Sequence, residues 1–165
     1  MTIRALDEAT IKQAVKLAAK VFPYRGVTVR LSFWAYQHQG GPLVRRLMRL
    51  AGYETPMHYW VALDENNEVV GTTGIYSLKK DEAEAVWMAW FCVDPGRRGQ
   101  GIGKELVEHS IAMARARGKR YFRLYTSTLP CEAAAQGLYE KYHFRITEKK
   151  NRLFYHLLYR ELALE

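Results

Sequence analysis

The stretch that decides the fold is Trp87–Gly118, which reads WMAWFCVDPGRRGQGIGKELVEHSIAMARARG. It begins with the apolar run Trp87–Val93, which is typical of a buried strand. A glycine-rich segment follows, and then apolar residues recur at helical spacing until Gly118, a residue that favours the end of a helix. The stretch therefore predicts a central strand, a loop and a helix.

The loop between this strand and this helix has the features of an anion-binding site. Gly99, Gly101 and Gly103 stand at alternate positions, and without side chains they let backbone N–H groups approach a ligand closely. The unpaired N–H groups and the dipole at the start of the helix favour a negative charge, and Arg98 and Lys104 add positive charge nearby. The loop therefore predicts a phosphate or pyrophosphate site.

Two common phosphate-binding motifs do not fit this loop. A Walker A loop needs a glycine where Arg98 stands, and a serine or threonine where Glu105 follows Lys104. In the dinucleotide-binding fingerprint, the last glycine would fall on Lys104. The pattern therefore argues against a nucleoside triphosphate and against NAD.

A third pattern does fit. Arg98-x-x-Gly101-x-Gly103, preceded by Val93-Asp94-Pro95, resembles motif A of the GNAT superfamily of N-acetyltransferases, in which R/Q-x-x-G-x-G/A binds the pyrophosphate of acetyl-CoA. Downstream, Ala135, Leu138-Tyr139-Glu140-Lys141 and Phe144 resemble motif B of the same family. Together the two motifs cover about the C-terminal half of the chain.

The resemblance implies a fold and a reaction. The fold would be of the α/β (α+β) class, a GNAT-like mixed and largely antiparallel central sheet with a parallel, splayed strand pair and helices on both faces. The length of 165 residues suits one domain, so residues 1–165 are expected to form a single acetyltransferase domain. The reaction would transfer an acetyl group from acetyl-CoA, the cosubstrate, to a primary amine of a small molecule or a protein.

The resemblance also implies which residues bind the cofactor. In the family the pantetheine follows the exposed edge of the central strand, and the loop holds the pyrophosphate. The corresponding residues are Phe91, Cys92, Val93, Arg98, Gly99, Gln100, Gly101, Ile102, Gly103 and Lys104.

Two catalytic roles follow from the same resemblance. Tyr139 matches the motif B tyrosine that protonates the departing CoA thiolate, and a neutral phenol is a competent proton donor. Some relatives carry a glutamate base on the central strand, where this chain has Met88, so Glu84 at the start of that strand is the preferred base, directly or through water. His58 and Glu132 remain alternatives for the base.

Two departures from the family pattern affect this assignment. Glu132 stands near the position where motif B commonly has an asparagine that touches the cofactor. The usual glycine before Phe144 is His143, which must then adopt whatever backbone angle that glycine adopts.

Composition narrows the functional classes. An apolar fraction of 48% and a charged fraction of 25% are those of an ordinary globular protein. No apolar run approaches the roughly 20 residues that span a bilayer, and Met1–Asp7 lacks the apolar core of a signal peptide, so the expected location is the cytoplasm, without a membrane partner. The two cysteines, Cys92 and Cys131, form no CxxC pair, so no metal site is expected.

The net charge of +8 leaves two interpretations open. It is compatible with a nucleic-acid surface, but the basic residues are scattered through every segment, which favours an anionic cofactor and an anionic part of the substrate over nucleic acid. A further alternative to an enzyme is a non-catalytic acyl-CoA-binding sensor or regulatory module, since the central strand lacks the carboxylate.

The remaining chain supplies compatible elements. Apolar spacing predicts a first helix over Ile11–Phe22 and a short second helix over Leu43–Leu50. The second helix lies within Tyr24–Pro56, an otherwise irregular segment rich in aromatic and basic residues. The resemblance implies that this segment walls the acceptor site, and the alternative is that its aromatic residues cover the core. Ser127 or Thr128 is expected to cap the motif B helix. Exposed sheet edges near the C-terminus would permit a homodimer. Besides the central strand, the predicted strands are Thr2–Leu6, His58–Leu63, Val69–Leu78, Tyr121–Thr126, Phe144–Thr147 and Phe154–Leu162.

Overall fold

The structure is a computed structural model that describes residues 1–164, apart from the side chain of Thr55. The helices are α1 (Ile11–Val21), α2 (Gly26–His38), α3 (Pro42–Leu50), α4 (Ile102–Ala116) and α5 (Ala133–Lys141). The strands are β1 (Thr2–Ala5), β2 (Tyr53–Leu63), β3 (Val69–Leu78), β4 (Ala85–Val93), β5 (Tyr121–Ser127), β6 (Arg145–Asn151) and β7 (His156–Ala163).

The strands form one sheet in the order β1-β2-β3-β4-β5-β7-β6. Every neighbouring pair is antiparallel except β4 and β5, which α4 connects in a crossover that makes them parallel. The predicted fold class, a mixed and largely antiparallel sheet with one parallel strand pair, is confirmed.

Helices cover both faces of this sheet. Residues of α1 and α2, such as Leu17 and Phe33, pack in one core cluster with Tyr59 of β2. On the other face, Val107 of α4 and Phe122 of β5 belong to a second cluster, which also contains Tyr139 of α5. Because β4 contributes residues to both clusters, it is buried on both faces, which explains its continuous apolar sequence.

Turn and helix-end residues adopt left-handed backbone angles at several points. Asn67 in the turn between β2 and β3 has a φ of 60°, and Gly118 after α4 has a φ of 63°, both in the left-handed region that these residue types tolerate. His143 also adopts a positive φ, 61°, at the position where the family usually has glycine.

The segment Tyr24–Pro56 contains more regular structure than the sequence predicts. It forms the 13-residue helix α2 before the expected short helix α3, and β2 begins at Tyr53 rather than at His58. α2 carries apolar residues on all of its faces: Val29 is buried and Val27 is exposed. The sequence of α2 therefore shows no apolar stripe at helical spacing.

The last two strands and the start of α5 also differ from their predicted positions. The last two strands occupy Arg145–Asn151 and His156–Ala163, and Phe154 lies in the turn between them with 88% of its surface exposed. The predicted cap of α5 is wrong, because the helix begins at Ala133 without a side-chain cap. The hydroxyl of Ser127 instead donates a hydrogen bond to the carboxylate of Glu132 at 2.8 Å.

Candidate active site

The parallel strand pair opens along its length. β4 and β5 pair only from Ala85 to Trp87, opposite Tyr121 to Arg123. Within the described residues, the rest of β4 has no strand partner on that side. Its backbone N–H and C=O groups there are therefore available to a ligand.

A β-bulge at Trp90 bends β4 where the strands part. Trp90 has a φ of 43°, and the pairing of β3 with β4 shifts register between Thr72 and Gly74. The hydroxyl of Thr72 donates a 2.6 Å hydrogen bond to the carbonyl of Trp90 and so fixes the bulge. Bulges of this kind bend a strand and re-aim its groups.

A cavity of about 1030 Å³ occupies the opening between the strands. Its walls are the free edge of β4, the loop at 97–104, the inner side of α5, and parts of α2 and α3. This volume is at the upper end of the range for small-molecule sites, so the cavity can hold an extended ligand together with a second molecule.

The loop at one end of the cavity has the backbone predicted for an anion cradle. Gly99 and Gly101 have φ values of 78° and 84°, and a Cβ on either would meet no atom within 4 Å. Glycine is therefore needed at these positions for its backbone angle and not for lack of space. Among the residues that the structure describes, no side chain caps the first turn of α4 after Gly101, so the N–H groups of that turn remain free for an anion.

The basic residues of this loop divide into two kinds. Arg97 donates a 2.8 Å hydrogen bond to Asp64, an ion pair that joins the loop to the turn between β2 and β3. The side chain of Arg98 has no hydrogen-bond or ion-pair partner in the part of the chain that the structure describes, and Lys104 lies 4.0 Å from Glu108 in an exposed pair. Arg98 and Lys104 can therefore contribute charge to a ligand.

The predicted pantetheine edge lines the same cavity at Phe91, Cys92 and Val93. Burial raises the pKa of the Cys92 thiol to about 11, and this sulfur lies 3.2 Å from the hydroxyl of Thr72. Cys92 is therefore a neutral packing residue, and its backbone is the part that can bond a ligand.

Tyr139 lies on α5 and lines the cavity across from β4. Its ring centroid is 5.8 Å from that of Phe91 and 5.8 Å from that of Phe144. Burial raises the pKa of Tyr139 well above its usual value, so the phenol stays protonated and can donate. The left-handed His143 lets the backbone N–H of Phe144 bond the carbonyl of Tyr139 at 2.9 Å, which anchors the end of α5.

The three candidate bases lie in different places. Glu84 precedes β4 at the closed end of the strand pair, where it accepts a 2.8 Å hydrogen bond from Arg123, and neither Glu84 nor His58 is among the residues that line the cavity. Glu132 is the one carboxylate on the described cavity wall, and it accepts hydrogen bonds from Thr126 and Ser127. Burial lowers the pKa of His58.

One contact on the cavity wall was not predicted from the sequence. Tyr125 of β5 lines the cavity, and the guanidinium of Arg25 lies 5.4 Å from the centre of its ring. The sequence places Arg25 in the basic, aromatic segment before β2, but only the tertiary fold brings it to β5, 100 residues later.

Among the described residues, no group of three or more His, Cys, Asp or Glu side chains is placed to hold a metal ion. Over the same residues, no helix combines the length and the apolar character that crossing a bilayer demands.

Comparison with known proteins agrees with this geometry. The model of the acetyltransferase (GNAT) family matches residues 25–144. The peptidyl-lysine N-acetyltransferase YjaB of Salmonella typhimurium is 34% identical over 94 residues, which cover 57% of this chain and 53% of that protein. Human N-acetyltransferase 8B is 33% identical over 101 residues, 60% of this chain and 42% of that protein. The chain therefore spans about half the length of the curated relatives that it matches.

Solved structures share the fold over the whole chain. An aminoglycoside 6′-N-acetyltransferase complexed with coenzyme A has a TM-score of 0.76 at 15% identity, covering 100% of this chain and 98% of its own. YncA of Salmonella typhimurium, with its cofactor acetyl-CoA, has a TM-score of 0.71 at 22% identity, covering 100% and 94%. Because the model of the family matches well over half of the residues of this chain, the chain belongs to the GNAT family of acetyltransferases.

Proposed function

We propose that this chain is an acetyl-CoA-dependent N-acetyltransferase that acts on a primary amine of a small molecule or a protein, and that residues 1–165 form one acetyltransferase domain. The observation that carries the proposal is the opening between β4 and β5, which ends at a loop with two left-handed glycines and an uncapped helix start. Such an arrangement suits a long ligand with a free backbone edge for its amide groups and a cradle for its phosphates.

The residues of the chain divide the binding of this ligand between them. The amides of Gly99–Lys104, together with the side chain of Arg98, would hold the pyrophosphate. The free backbone edge of Phe91–Val93 would bond the pantetheine. Two solved structures with a similar fold are complexes with coenzyme A or acetyl-CoA, which supports the same cosubstrate here.

Bound acetyl-CoA would supply the acetyl group as an activated thioester. The acceptor amine must lose a proton before it attacks, because an alkyl ammonium has a pKa near about 10 and no free electron pair at neutral pH. Glu84 would take this proton through water, and Glu132 is the alternative that lies on the wall. Tyr139 would return a proton to the departing thiolate.

A thiol-release assay tests the proposal. Free CoA should appear when the chain is mixed with acetyl-CoA and a panel of amines, after calorimetry has shown that acetyl-CoA binds. Arg98→Ala removes charge from the cradle and Gly101→Glu fills it, so both should weaken acetyl-CoA binding about tenfold or more. Arg115→Ala, on the exposed far end of α4, is the matched control and should leave binding unchanged. Unchanged affinity in both cradle variants would contradict the proposal.

A second function is favoured by one observation. Met88 occupies the cavity wall on β4 where an acidic base would be expected, so the chain would also suit a non-catalytic acyl-CoA sensor. Tight acetyl-CoA binding without thiol release from any amine would favour the sensor. If thiol is released, comparing Glu84→Gln with Glu132→Gln identifies the base, since loss of the true base should lower turnover about a hundredfold and loss of the other should not.

A further inference from the structure

The part of the cavity beyond the cofactor cradle is walled by apolar and aromatic side chains. Phe22, Trp34, Tyr53, Tyr76 and Trp90 contribute to this wall. Their rings are held against one another, with the centroids of Phe22 and Trp90 separated by 5.6 Å and those of Tyr53 and Tyr76 by 5.6 Å. A wall of this kind favours an apolar, ring-bearing guest.

Arg25 places one cation on this wall. It is half-buried, its guanidinium stacks over the ring of Tyr125 at 5.4 Å, and its Nη1 lies 3.4 Å from the Tyr125 hydroxyl. Among the described residues no carboxylate pairs with it. A cation that is partly removed from water and lacks a counter-charge gains strongly from binding an anion.

Acidic side chains are almost absent from the described wall of the cavity. Glu132 is the single carboxylate on its described wall, and both of its oxygens already accept hydrogen bonds from Thr126 and Ser127 at 2.8 Å. A polycationic amine such as an aminoglycoside would therefore find no free carboxylate on this wall, and it would meet Arg25.

We propose that the acceptor is an apolar amine that also carries a carboxylate, of the kind represented by an aromatic amino acid, and that Arg25 is the residue that binds this carboxylate. The inference rests on the proposed acetyltransferase function and adds the class of its acceptor. The aromatic wall holds the ring of the acceptor, Arg25 holds its carboxylate, and its amine is left to face the opening between β4 and β5.

The test compares three amines at saturating acetyl-CoA by thiol release. L-phenylalanine has a ring and a carboxylate, phenethylamine is the same molecule without the carboxylate, and kanamycin is a polycation. The wild-type kcat/KM should be about 10-fold to 100-fold higher for phenylalanine than for phenethylamine, as expected for one charge-assisted contact, and lowest for kanamycin.

Arg25→Gln separates binding of the carboxylate from a general effect on structure. It should bring the ratio of phenylalanine to phenethylamine close to one, because kcat/KM falls far more for phenylalanine than for phenethylamine. Arg25→Lys should restore part of the ratio. Arg30→Gln, on an exposed part of α2 outside the cavity wall, is the control and should leave the ratio as in the wild type.

Three outcomes would overturn the inference: equal use of phenylalanine and phenethylamine by the wild type, a preference for kanamycin, or an equal loss for both ring-bearing amines in Arg25→Gln. Each of these would leave the acetyltransferase function standing, because an amine would still be acetylated. The function itself fails in a different way, through the absence of acetyl-CoA binding in calorimetry.

Discussion

At the scale of single residues, the proposed chemistry depends most on Tyr139. Its ring packs against Phe91 of β4 on one side and Phe144 after α5 on another, so ring contacts from two directions set its position. A hydroxyl held in this way acts on a ligand group at a defined place, which is the condition for efficient proton donation.

Tyr139→Phe should lower kcat by about a hundredfold, because it removes one proton donor and keeps the packing of the ring. The dissociation constant of acetyl-CoA, measured by calorimetry, should change little. Tyr142→Phe is the matched control, since the hydroxyl of Tyr142 points to Glu108 at 2.6 Å, away from the cavity wall, and its kcat should match the wild type. Full activity in Tyr139→Phe would remove this tyrosine from the mechanism.

The pH dependence of turnover gives an independent test of the same residue. Burial raises the pKa of Tyr139 in the folded chain above its ordinary value of 10.0, so the protonated, donating form persists to higher pH than for a free phenol. At saturating concentrations of both substrates, kcat should therefore not fall between pH 8 and pH 10 through deprotonation of Tyr139. A descending limb with a midpoint below about 10 that Tyr139→Phe abolishes would contradict this assignment.

Residue-scale predictions from sequence succeed where the signal is local. The left-handed angles of Gly101 and His143 follow from motif positions and backbone sterics alone. The contact of Arg25 with Tyr125 joins positions 100 residues apart, so no spacing in the sequence reveals it.

At the scale of elements, the separation of β4 from β5 is what creates the cavity. The bulge at Trp90 is held by a buried hydroxyl, that of Thr72, which is 1% exposed. Because the bulge lies in the part of β4 that lines the cavity, the geometry of the cofactor site depends on a contact with β3 that lies outside the two motifs.

Thr72→Val keeps the shape of the side chain and removes this hydrogen bond. The free energy of unfolding in urea should fall by about 1–3 kcal/mol, because a partly buried carbonyl loses its donor, and KM for acetyl-CoA should rise. Thr147→Val is the control, since its hydroxyl makes a longer bond of 3.3 Å to the carbonyl of Tyr159 on an exposed strand, and it should change stability by less than about 0.5 kcal/mol. Equal effects of the two substitutions would show that the bulge is not fixed by Thr72.

The elements missed from sequence share a physical cause. α2 has apolar residues on every side because it covers the core with Val29 and Phe33 while it exposes Leu31 beside the cavity, so no stripe marks it. The start of β2 carries Pro56 and a register shift between Glu54 and His58, and both features conceal the period of two. The strands around the turn at Asp64, in contrast, follow directly from their β-branched and aromatic residues and from the turn residues between them.

At the scale of the whole molecule, one ion-pair cluster joins distant segments at the closed end of the strand pair. Arg123 of β5 contacts Asp81 at 2.7 Å, Glu84 at 2.8 Å and Glu161 of β7 at 2.7 Å. These hydrogen bonds raise the pKa of Arg123 above its usual value despite its partial burial. The cluster fixes the short paired part of β4 and β5 from which the cavity opens.

Arg123→Met should lower the free energy of unfolding by roughly 1–3 kcal/mol, because it leaves the largely buried Asp81 without its cation. Urea titration measures this change. Arg152→Met is the control, since Arg152 is exposed in the turn before β7, and it should stay within about 0.5 kcal/mol of the wild type. A loss as small in Arg123→Met as in Arg152→Met would contradict the structural role of the cluster.

The central claim is that backbone amides between residues 98 and 104 hold the diphosphate of acetyl-CoA, and amide hydrogen exchange measures it most directly. Adding CoA should slow exchange in this loop and in the first turn of α4, while the turn at 152–155 between β6 and β7 serves as the internal control and keeps its rate. Pantetheine, which lacks the diphosphate, should leave the loop unprotected. Exchange in the loop that is unaffected by saturating CoA, or equally slowed by pantetheine, would contradict the account.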